Sequence, residues 1–392
     1  MKGKQRAGLG LMIIVLLLTT VLYPVLLYTD NAFVSKWRTL YIETAMSTMT
    51  HQWLATAIIP QSIIDEVMLT REDTTEMQKT AESTWSIGDV TSAIVKSEEV
   101  DDDEERFYTL FDELDRDSFE SYVEKNPNVL AKGWDKIAID KCDESKAPGI
   151  KTKQGDNVLA ISAGQGIMIV EVKGETYVGR LAVVKDASRV ELAACKRLFK
   201  TGQYLSDIAD DNDAILAINA SGFIDEGGTG NGGTPYGYLK IAGEEKQDAY
   251  EHGYKIIGFD EDDLLQIGDT SIAGNLWDAI EFGPALIVDG ESKLKSASSG
   301  WGLQPRTAIG QASDKTVLML VIDGRSTRSA GATVGDCKEI LESYGAEQAC
   351  NLDGGSSSVM YYNGREITHP TTASDNPKGR HLPDAFIVTW KR

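Results

Sequence analysis

The amino-acid sequence predicts an α+β fold, with mixed sheets flanked by helices in a C-terminal domain. From Ile150 onward, short segments typical of β-strands are separated by turn signals. Helical patterns occur among them without the strict strand–helix alternation of a doubly wound parallel sheet. Before Ile150 the patterns are mainly helical. These observations divide the chain into an N-terminal tip and membrane anchor (1–29), a helical and acidic stalk or linker region (30–149) and a C-terminal domain (150–392).

An apolar run near the N-terminus predicts a transmembrane helix. Lys2, Lys4 and Arg6 precede an uncharged, mostly apolar run from Ala7 to Thr29, which is close to the roughly 20 residues that a helix needs to cross a bilayer. The positive-inside rule places these basic residues in the cytoplasm and the rest of the chain outside. A cleaved signal peptide is the alternative, but the run exceeds the usual ~7–15 residues and lacks an Ala-x-Ala-like exit. We therefore predict a single-pass anchor in the cell membrane, with an extracellular C-terminal domain.

The region that follows the anchor shows helical periodicity and a strongly acidic segment. Apolar and aromatic residues between Asn31 and Glu66 recur at three- and four-residue steps, which predicts an amphipathic helix that ends at Ile59-Pro60. The acidic run 98–105 is typical of a solvated linker or a helix start. Residues 107–124 again follow a helical pattern, and a domain boundary is predicted near Pro148-Gly149.

The charge of the chain limits its partners. The 392 residues carry a net charge of −21 at pH 7, and the pI is about 4.6. A nucleic-acid partner is excluded by this balance, because binding to a phosphate backbone requires a basic face. An anionic substrate remains compatible with the composition if a few arginines converge in one pocket.

The cysteines indicate neither zinc binding nor a clear disulfide framework. Cys142, Cys195, Cys337 and Cys350 are far apart in sequence, with no C-x-x-C pair and no nearby histidines. Buried free thiols are the favoured interpretation. Disulfides between 337 and 350 or between 142 and 195 stay open if the domain lies outside the cell.

The C-terminal domain begins with a series of predicted strands. The last two of the first three strands are expected to form a hairpin, and a helix then leads into a buried strand that ends at Asn219. A final strand is predicted close to the C-terminus. The predicted elements are strands at Val158–Ile161, Gly166–Val172 and Thr176–Val184, a helix at Leu198–Asp211, and strands at Ala214–Ile218 and Phe386–Trp390.

Two similar passages predict the functional site. The apolar segment Val317–Ile322 leads into Asp323-Gly, and after a helical pattern at Val334–Tyr344 the segment beginning at Ala349 leads into Asp353-Gly. In each passage a short buried strand ends at an aspartate, and the glycine allows the backbone to turn sharply. Functional residues often lie on loops held by a rigid scaffold. We therefore expect the two carboxylates to share a cleft.

Arginines and a glycine-dense loop provide further candidates. Arg306 precedes a strand, Arg325 follows Asp323, and Arg380 precedes the last strand. The planar guanidinium matches phosphate or carboxylate oxygens two at a time, although a surface salt bridge is the more usual role of such residues. The loop 220–235 after Asn219 lacks a Walker lysine and the G-x-G-x-x-G spacing, so a substrate loop is preferred to a nucleotide site. His381 is a weak general-acid candidate without a visible partner.

In combination and order, these motifs resemble the phosphodiester glycosidase family, which includes bacterial envelope and exopolysaccharide-associated proteins. The resemblance covers roughly 150–392 and implies hydrolysis of a sugar-1-phosphodiester to a free sugar and a phosphomonoester. It is carried by Asn219–Gly222, Gly283-Pro-Ala, Pro305-Arg-Thr-Ala-Ile-Gly310, Asp323-Gly-Arg325, Asn351-Leu-Asp-Gly-Gly-Ser356 and Arg380.

The resemblance also implies roles for individual residues, without a metal or another cofactor. Asp353 is the expected base or nucleophile and Asp323 the second carboxylate, in keeping with the paired carboxylates of glycosidases. Arg306 and Arg380 are expected to stabilise the phosphate leaving group. Further substrate contacts are expected from Asn219, Arg325, Gly354 and Gly355. The chain has Asn219-Ala-Ser-Gly and Asp353-Gly-Gly-Ser-Ser where the family usually has Asn-Gly-Gly and Asp-Gly-Gly-Gly-Ser.

Two other function classes stay open from the sequence. One is a non-catalytic module that binds phosphosugar polymers of the cell envelope. The other is a metal-dependent phosphodiesterase with Asp225, Glu226, Asp323 and Asp353 as oxygen ligands. In each case the expected partners are a phosphosugar or polysaccharide and, through the N-terminal helix, the membrane.

Overall fold

The computed structural model describes residues 15–48, 50–86, 91–226, 230–250, 254–372 and 376–391. Residues 1–14, which hold the predicted cytoplasmic tip and the first third of the predicted apolar run 7–29, lie outside this range. In the described part, no single helix is both long and apolar enough to cross a bilayer. Val15–Tyr28 and Ala32–Met46, with a bend of 90° at the break, pass the same length and composition test only as a pair. The transmembrane helix therefore stays a prediction.

Helices dominate the chain before residue 130, as the sequence predicts. The predicted long helix is interrupted after Met46, where Thr48 Oγ1 donates to Ala45 O and accepts from His51 N, so that side chains compete with the helical hydrogen bonds. The acidic run starts a helix, with Asp102 capping Glu105 N. The α-helices are α1 Tyr23–Tyr28, α2 Ala32–Met46, α3 Trp53–Thr56, α4 Gln61–Gln78, α5 Ala93–Glu98, α6 Asp103–Leu110, α7 Arg116–Lys125, α8 Leu205–Asp211 and α9 Val334–Ser343.

Three sheets form the rest of the fold. A nine-stranded sheet has the order β1-β2-β3-β4-β15-β14-β16-β12-β13, and two five-stranded sheets have the orders β10-β9-β11-β7-β8 and β18-β17-β6-β19-β5. The strands are β1 Ala138–Asp140, β2 Asn157–Ser162, β3 Ile167–Lys173, β4 Val178–Val184, β5 Val190–Ala194, β6 Ala214–Asn219, β7 Leu239–Ile241, β8 Glu244–Gln247, β9 Lys255–Asp260, β10 Leu265–Gly268, β11 Leu276–Phe282, β12 Ala285–Val288, β13 Glu291–Ser292, β14 Arg306–Ala312, β15 Val317–Ile322, β16 Ala346–Asn351, β17 Met360–Tyr362, β18 Arg365–Glu366 and β19 Asp384–Thr389.

This architecture confirms the α+β class but corrects the expectation of mixed sheets. Every strand pair in the sheets of the described residues is antiparallel. The physical reason is the strand order: β15 and β16, which helix α9 joins, run in the same direction, but β14 lies between them and pairs antiparallel with both. The predicted hairpin is formed by β3 and β4.

The nine-stranded sheet has an apolar core on each face. Alternating residues of β15 point to opposite faces, as the two-residue period of a strand requires. Val317, Met319 and Val321 face the two five-stranded sheets. Leu318, Leu320 and Ile322 face helix α9 and the aromatic cluster of α6 and α7. Burial of both faces explains why this strand is apolar without interruption.

The N-terminal region is attached to the C-terminal domain by specific contacts. Strand β1 lies before the predicted boundary and pairs with β2. In α4, Gln78 Nε2 donates to Ala285 O at 3.1 Å, and Gln78 Oε1 accepts from Ala285 N at 2.7 Å. In α2, Glu43 Oε1 accepts from Gly300 N at 3.2 Å. The helices before residue 80 therefore cover one side of the sheet assembly.

The four cysteines are free and buried. This confirms the prediction of buried thiols.

Candidate active site

The two Asp-Gly turns lie at the same end of neighbouring strands in the nine-stranded sheet. Strands β15 and β16 flank β14 and run antiparallel to it, with Ile322 opposite Arg306 and Asn351 opposite Ala308. Asp323 and Asp353 therefore follow the ends of two strands that point the same way. The two strands are separated by two strand spacings, about 10 Å. The start of β14 lies between them.

Asp353 is a partly exposed carboxylate in a tightly held turn. Its backbone N donates to Ala220 O at 3.2 Å. Burial of the carboxylate raises the pKa of Asp353 to about 6, although the nearby Ser357 hydroxyl and Arg380 guanidinium oppose this shift. A carboxylate with this pKa is suited to accept a proton near neutral pH.

Asn219 is fully buried at the end of β6. Its Nδ2 donates to Asp353 O at 2.7 Å, while its Oδ1 accepts from Thr307 Oγ1 at 2.8 Å and from Val359 N at 3.2 Å. These bonds occupy the amide within the protein. Asn219 thus holds the Asp353 turn in position, which differs from the direct substrate contact that the sequence suggests.

Asp323 has an internal partner. Its side chain is 6% exposed, and Oδ1 accepts a hydrogen bond of 2.7 Å from His369 N. The following Gly324 lies against Pro305, because a Cβ at this position would be 2.7 Å from Pro305 N. The carboxylate of Asp323 therefore connects the edge of the sheet to the loop around His369.

Arg306 is a buried cation whose donors bind backbone carbonyls. Nε donates to Ala332 O at 3.1 Å, and Nη2 donates to Trp301 O at 2.9 Å and Gly302 O at 2.8 Å. Burial lowers the pKa of Arg306 to about 10. In the part of the chain that the structure describes, no carboxylate forms an ion pair with it. Arg306 therefore fixes the segment around Trp301 and adds positive charge beneath the site.

Arg325 contacts the turn of Asp353 directly. Its Nε and Nη2 donate to Gln304 Oε1 at 3.2 and 2.7 Å, and Nη1 donates to Ser356 Oγ at 3.2 Å. Gly355 has a φ of +64°, and a Cβ there would lie 3.2 Å from Arg325 Nη2. At Gly354 a Cβ would lie 2.8 Å from Pro305 O. Both glycines thus allow the turn to approach its neighbours closely.

Arg380 is a second arginine near Asp353. Its Nη2 donates to Asp225 Oδ2 at 2.7 Å, and its guanidinium carbon is 4.6 Å from the centre of the Phe223 ring. The charge of Arg380 helps to lower the pKa of Asp353. Arg380 therefore places positive charge near the carboxylate of Asp353, and Arg325 places positive charge at its turn.

Sequence reasoning missed Asp384, the first residue of β19. This side chain is fully buried; Oδ1 accepts from Ser221 N at 2.8 Å, and Oδ2 has no hydrogen-bond partner among the described residues. Burial raises the pKa of Asp384 to about 7, and the charge of Asp353 adds to the rise. The available signal was an aspartate at the start of the apolar segment 385–388.

A cavity of about 240 Å³ opens between α4 and the strands near the site. It is lined by Arg71, Thr75, Gln78, Tyr236, Tyr254, Lys255, Gly283, Pro284 and Trp301.

The described residues contain no group of three or more His, Cys, Asp or Glu side chains that could hold a metal ion. Of the four acids in the metal hypothesis, Asp225 binds Arg380 and Asp323 binds the His369 amide. The observed neighbours of these two acids are therefore hydrogen-bond donors.

Comparison with known proteins supports the resemblance found in the sequence. Residues 212–389 match the family model described as phosphodiester glycosidase, which confirms that resemblance and indicates a hydrolase family. All eight predicted site residues lie within this range. A curated relative, the SPbeta prophage-derived uncharacterized protein YomE of Bacillus subtilis (strain 168), is 32% identical over 167 residues, or 40% of this chain. The match spans only 25% of the length of that relative.

Solved structures show a more distant likeness. The catalytic domain of zebrafish N-acetylglucosamine-1-phosphodiester alpha-N-acetylglucosaminidase, auto-inhibited by its pro-peptide, has a TM-score of 0.47 and 17% identity, covering 67% of this chain and 91% of that chain. A hypothetical protein from Synechocystis has a TM-score of 0.48 and 15% identity, covering 62% and 65%.

Proposed function

We propose that the protein is a hydrolase that cleaves sugar-1-phosphodiester bonds. The observation that carries this proposal is the arrangement around Asp353, whose pKa is raised to about 6, whose carboxylate lies near Arg380 and whose turn Arg325 contacts at Ser356. A base beside two guanidinium groups suits a substrate that combines an anomeric carbon with a phosphate. The family match at residues 212–389 supports the same reaction class.

In the proposed reaction, Asp353 acts as the base or nucleophile at the anomeric carbon. If it acts as base, it takes a proton from water while the water oxygen bonds to the anomeric carbon. The bond from that carbon to the phosphate oxygen breaks, and its electron pair leaves with the phosphomonoester. Because a phosphate is already a good leaving group, it needs stabilisation of its charge more than full protonation. Arg325 and Arg380 would supply it.

The second carboxyl group in this proposal is Asp384. Two nearby carboxyl groups with pKa values of about 6 and about 7 are expected to differ in protonation near neutral pH. Asp384 is bound to Ser221 N, and Ser221 follows Ala220, whose carbonyl holds Asp353 N. Asp384 would therefore position and tune Asp353 through this short segment. The carboxylate of Asp323 would hold the His369 loop instead.

We also propose that the enzyme is membrane-anchored and acts outside the cytoplasm on envelope or exopolysaccharide glycans. The basic residues before the apolar run 7–29 support this orientation. An N-terminal tag should remain attached to the protein in the membrane fraction. Loss of that tag on export would refute the anchor.

The function is tested by product analysis with the full chain in detergent and a synthetic sugar-1-phosphodiester. The wild-type protein should release free sugar and phosphomonoester in equal amounts. Asp353→Asn should abolish release without loss of folding, and the matched control Asp117→Asn, on the exposed side of α7, should remain active. Turnover by Asp353→Asn would eliminate the assignment of Asp353.

A second candidate is a module that binds phosphosugar polymers without cleaving them. It is favoured by one observation, the replacement of family glycines by Ala220 and Ser356 in the two turns around Asp353. The same experiment separates the two functions, because saturable binding without product would identify the module. A reaction stopped by a chelator and restored by a divalent ion would instead identify a metal-dependent phosphodiesterase.

A further inference from the structure

We propose that the cavity beneath α4 is a binding subsite for a phosphorylated sugar residue, with Arg71 and Lys255 as its anion-binding groups. Its aromatic walls, Tyr236, Tyr254 and Trp301, would face the sugar ring. The inference goes beyond the proposed reaction, because it assigns ligand contacts to the helical region that precedes the family match. It rests on the proposed function only in the choice of a sugar phosphate as ligand.

The position of Arg71 is fixed by the attachment of α4. Gln78, two turns further along this helix, makes two hydrogen bonds to the Ala285 backbone. The stem of Arg71 lies against Gly300, where an added Cβ would be 2.2 Å from Arg71 Cβ. The guanidinium carbon is then 5.0 Å from the centre of the Trp301 ring. Arg71 therefore reaches the cavity from a well-anchored backbone, with its guanidinium over an aromatic face.

The two cations of the cavity are not held in ion pairs by the described residues. Neither Arg71 nor Lys255 forms an ion pair within the ranges that the structure describes, although the chain has 60 acidic and 39 basic residues. Lys255 is only 4% exposed, and burial lowers the pKa of its ammonium group. The charges of Asp269 and Glu82 oppose this shift only in part. Burying a cation is costly, and a bound anion would offset the remaining cost.

The wall of the cavity is hydrogen-bonded to the segment that leads into the turn of Asp353. Asn351, two residues before Asp353, donates from N to Pro284 O and from Nδ2 to Gly283 O, each at 3.0 Å. Gly283 and Pro284 both line the cavity. A ligand in the cavity is thus supported by the same backbone that carries Asp353.

An aromatic contact makes a second connection to the site. Tyr254 stacks on Phe282, with ring centres 5.4 Å apart and an interplanar angle of 13°. Phe282 in turn lies against Gly222, where a Cβ would be 2.9 Å from the ring. Gly222 belongs to the segment that follows Asn219, and Ala220 of that segment binds Asp353 N. The wall of the cavity therefore joins the loop that holds the proposed base.

The volume of the cavity limits the ligand. Pockets for drug-sized molecules usually occupy about 300–1,000 Å³. The observed 240 Å³ is smaller and suits a single sugar residue with its phosphate. A longer glycan would extend out of the cavity towards Asp353.

Calorimetric titration of the full chain in detergent with glucose 1-phosphate tests the subsite. Arg71→Met keeps the stem that contacts Gly300 but removes the charge, and Lys255→Met does the same for Lys255. Each change should weaken binding at least about tenfold, as expected for loss of a hydrogen bond to a charged group. Lys79→Met at the end of the same helix is the matched control, because Lys79 is exposed and pairs with Glu76. It should bind as the wild type does.

A charge-preserving variant guards against misfolding: Arg71→Lys keeps the charge but loses the planar group over Trp301, so it should bind more tightly than Arg71→Met and more weakly than the wild type. The Asp353→Asn protein should also bind, so the subsite is tested even if no turnover is found. Wild-type affinity in both methionine variants would overturn the proposal. So would the absence of saturable binding of glucose 1-phosphate, or equal affinity for unphosphorylated glucose.

Discussion

The two Asp-Gly turns share a sequence pattern and lie at the same end of the nine-stranded sheet. They differ in the groups that surround their carboxylates. Asp323 is 6% exposed and accepts a hydrogen bond from a backbone amide. Asp353 is partly exposed, has a pKa raised to about 6, and lies near Arg325, Arg380 and the buried Asp384. The pattern thus places a carboxylate at the edge of a sheet, and neighbours from other parts of the chain determine its chemistry.

The difference between the two carboxylates arises from the segments that contact each turn. The Asp353 turn is joined to β6 through Asn219 and Ala220, and β6 pairs with β19, which starts at Asp384. The Asp323 turn is joined instead to the loop around His369. Contact with a second sheet gives the Asp353 turn an additional acid, whereas the Asp323 carboxylate accepts from a backbone amide of a loop.

The largest expected effect is on turnover. Asp353→Asn should lower kcat by about 10²–10⁴-fold, the usual contribution of a general base. Asp323→Asn should lower it less than about tenfold, because the amide oxygen still accepts from His369 N. Steady-state kinetics on a sugar-1-phosphodiester would measure both. A greater loss in Asp323→Asn would reverse the comparison and restore Asp323 as the principal carboxylate.

Asp384 should make stability depend on pH. Its folded-state pKa of about 7 exceeds the ordinary value of 3.8, so between these pH values the folded protein holds a proton that the unfolded chain has lost. The free energy of unfolding is therefore highest below pH 3.8 and falls as the pH rises through about 7. Relative to Asp384→Asn, which still accepts from Ser221 N, the wild type should lose about 4 kcal/mol of unfolding free energy between pH 4 and pH 8. Urea unfolding at both pH values measures this, with Asp117→Asn as the reference. A constant difference would contradict a buried, titrating Asp384.

Asp323 should matter more for stability than for chemistry. Asp323→Ala leaves His369 N without its acceptor, which should cost about 1–3 kcal/mol of unfolding free energy. Asp323→Asn provides an oxygen in the same place and should recover most of the loss. Thermal and urea unfolding would measure both variants. Loss of activity in Asp323→Ala at unchanged stability would show that this carboxylate takes part in the reaction.

The smallest effect is expected in the pH profile. If Asp353 must be ionised, kcat/KM should fall about tenfold per unit below pH 6. The Arg380 charge lowers the pKa of Asp353, so Arg380→Met should move the midpoint to higher pH. Asp323→Asn should leave the midpoint unchanged. A midpoint that shifts in Asp323→Asn but not in Arg380→Met would show that the titrating carboxylate is Asp323 and not Asp353.

Local pattern was sufficient to predict the central strands of the nine-stranded sheet and the two Asp-Gly turns that end β15 and follow β16. Segments such as 317–322 and 214–219 are apolar throughout because both faces of their sheets are covered. Helix α9 also follows the predicted range, since it has an amphipathic pattern and a capping box at Thr333 and Asp336. These features are encoded within a few neighbouring residues.

Long-range contacts could not be read in the same way. An aspartate at the start of a strand gives no sign that it will be buried, so the role of Asp384 depends on β19 pairing with β6. Arg306 was expected to contact substrate, yet its Nε and Nη2 bind carbonyls of residues 301, 302 and 332. The attachment of α4 over the cavity likewise follows from contacts between Gln78 and Ala285, 207 positions apart.

The order of the nine-stranded sheet has a consequence for any attempt to isolate the family-matching segment. Residues 212–389 contain β15 but not β4, its hydrogen-bonded neighbour at residues 178–184. A fragment cut at residue 212 would therefore present β15 as a bare apolar edge, a ready template for intermolecular strand addition. The range of the family match is thus narrower than the sheet that contains it, which extends to β1 at residue 138.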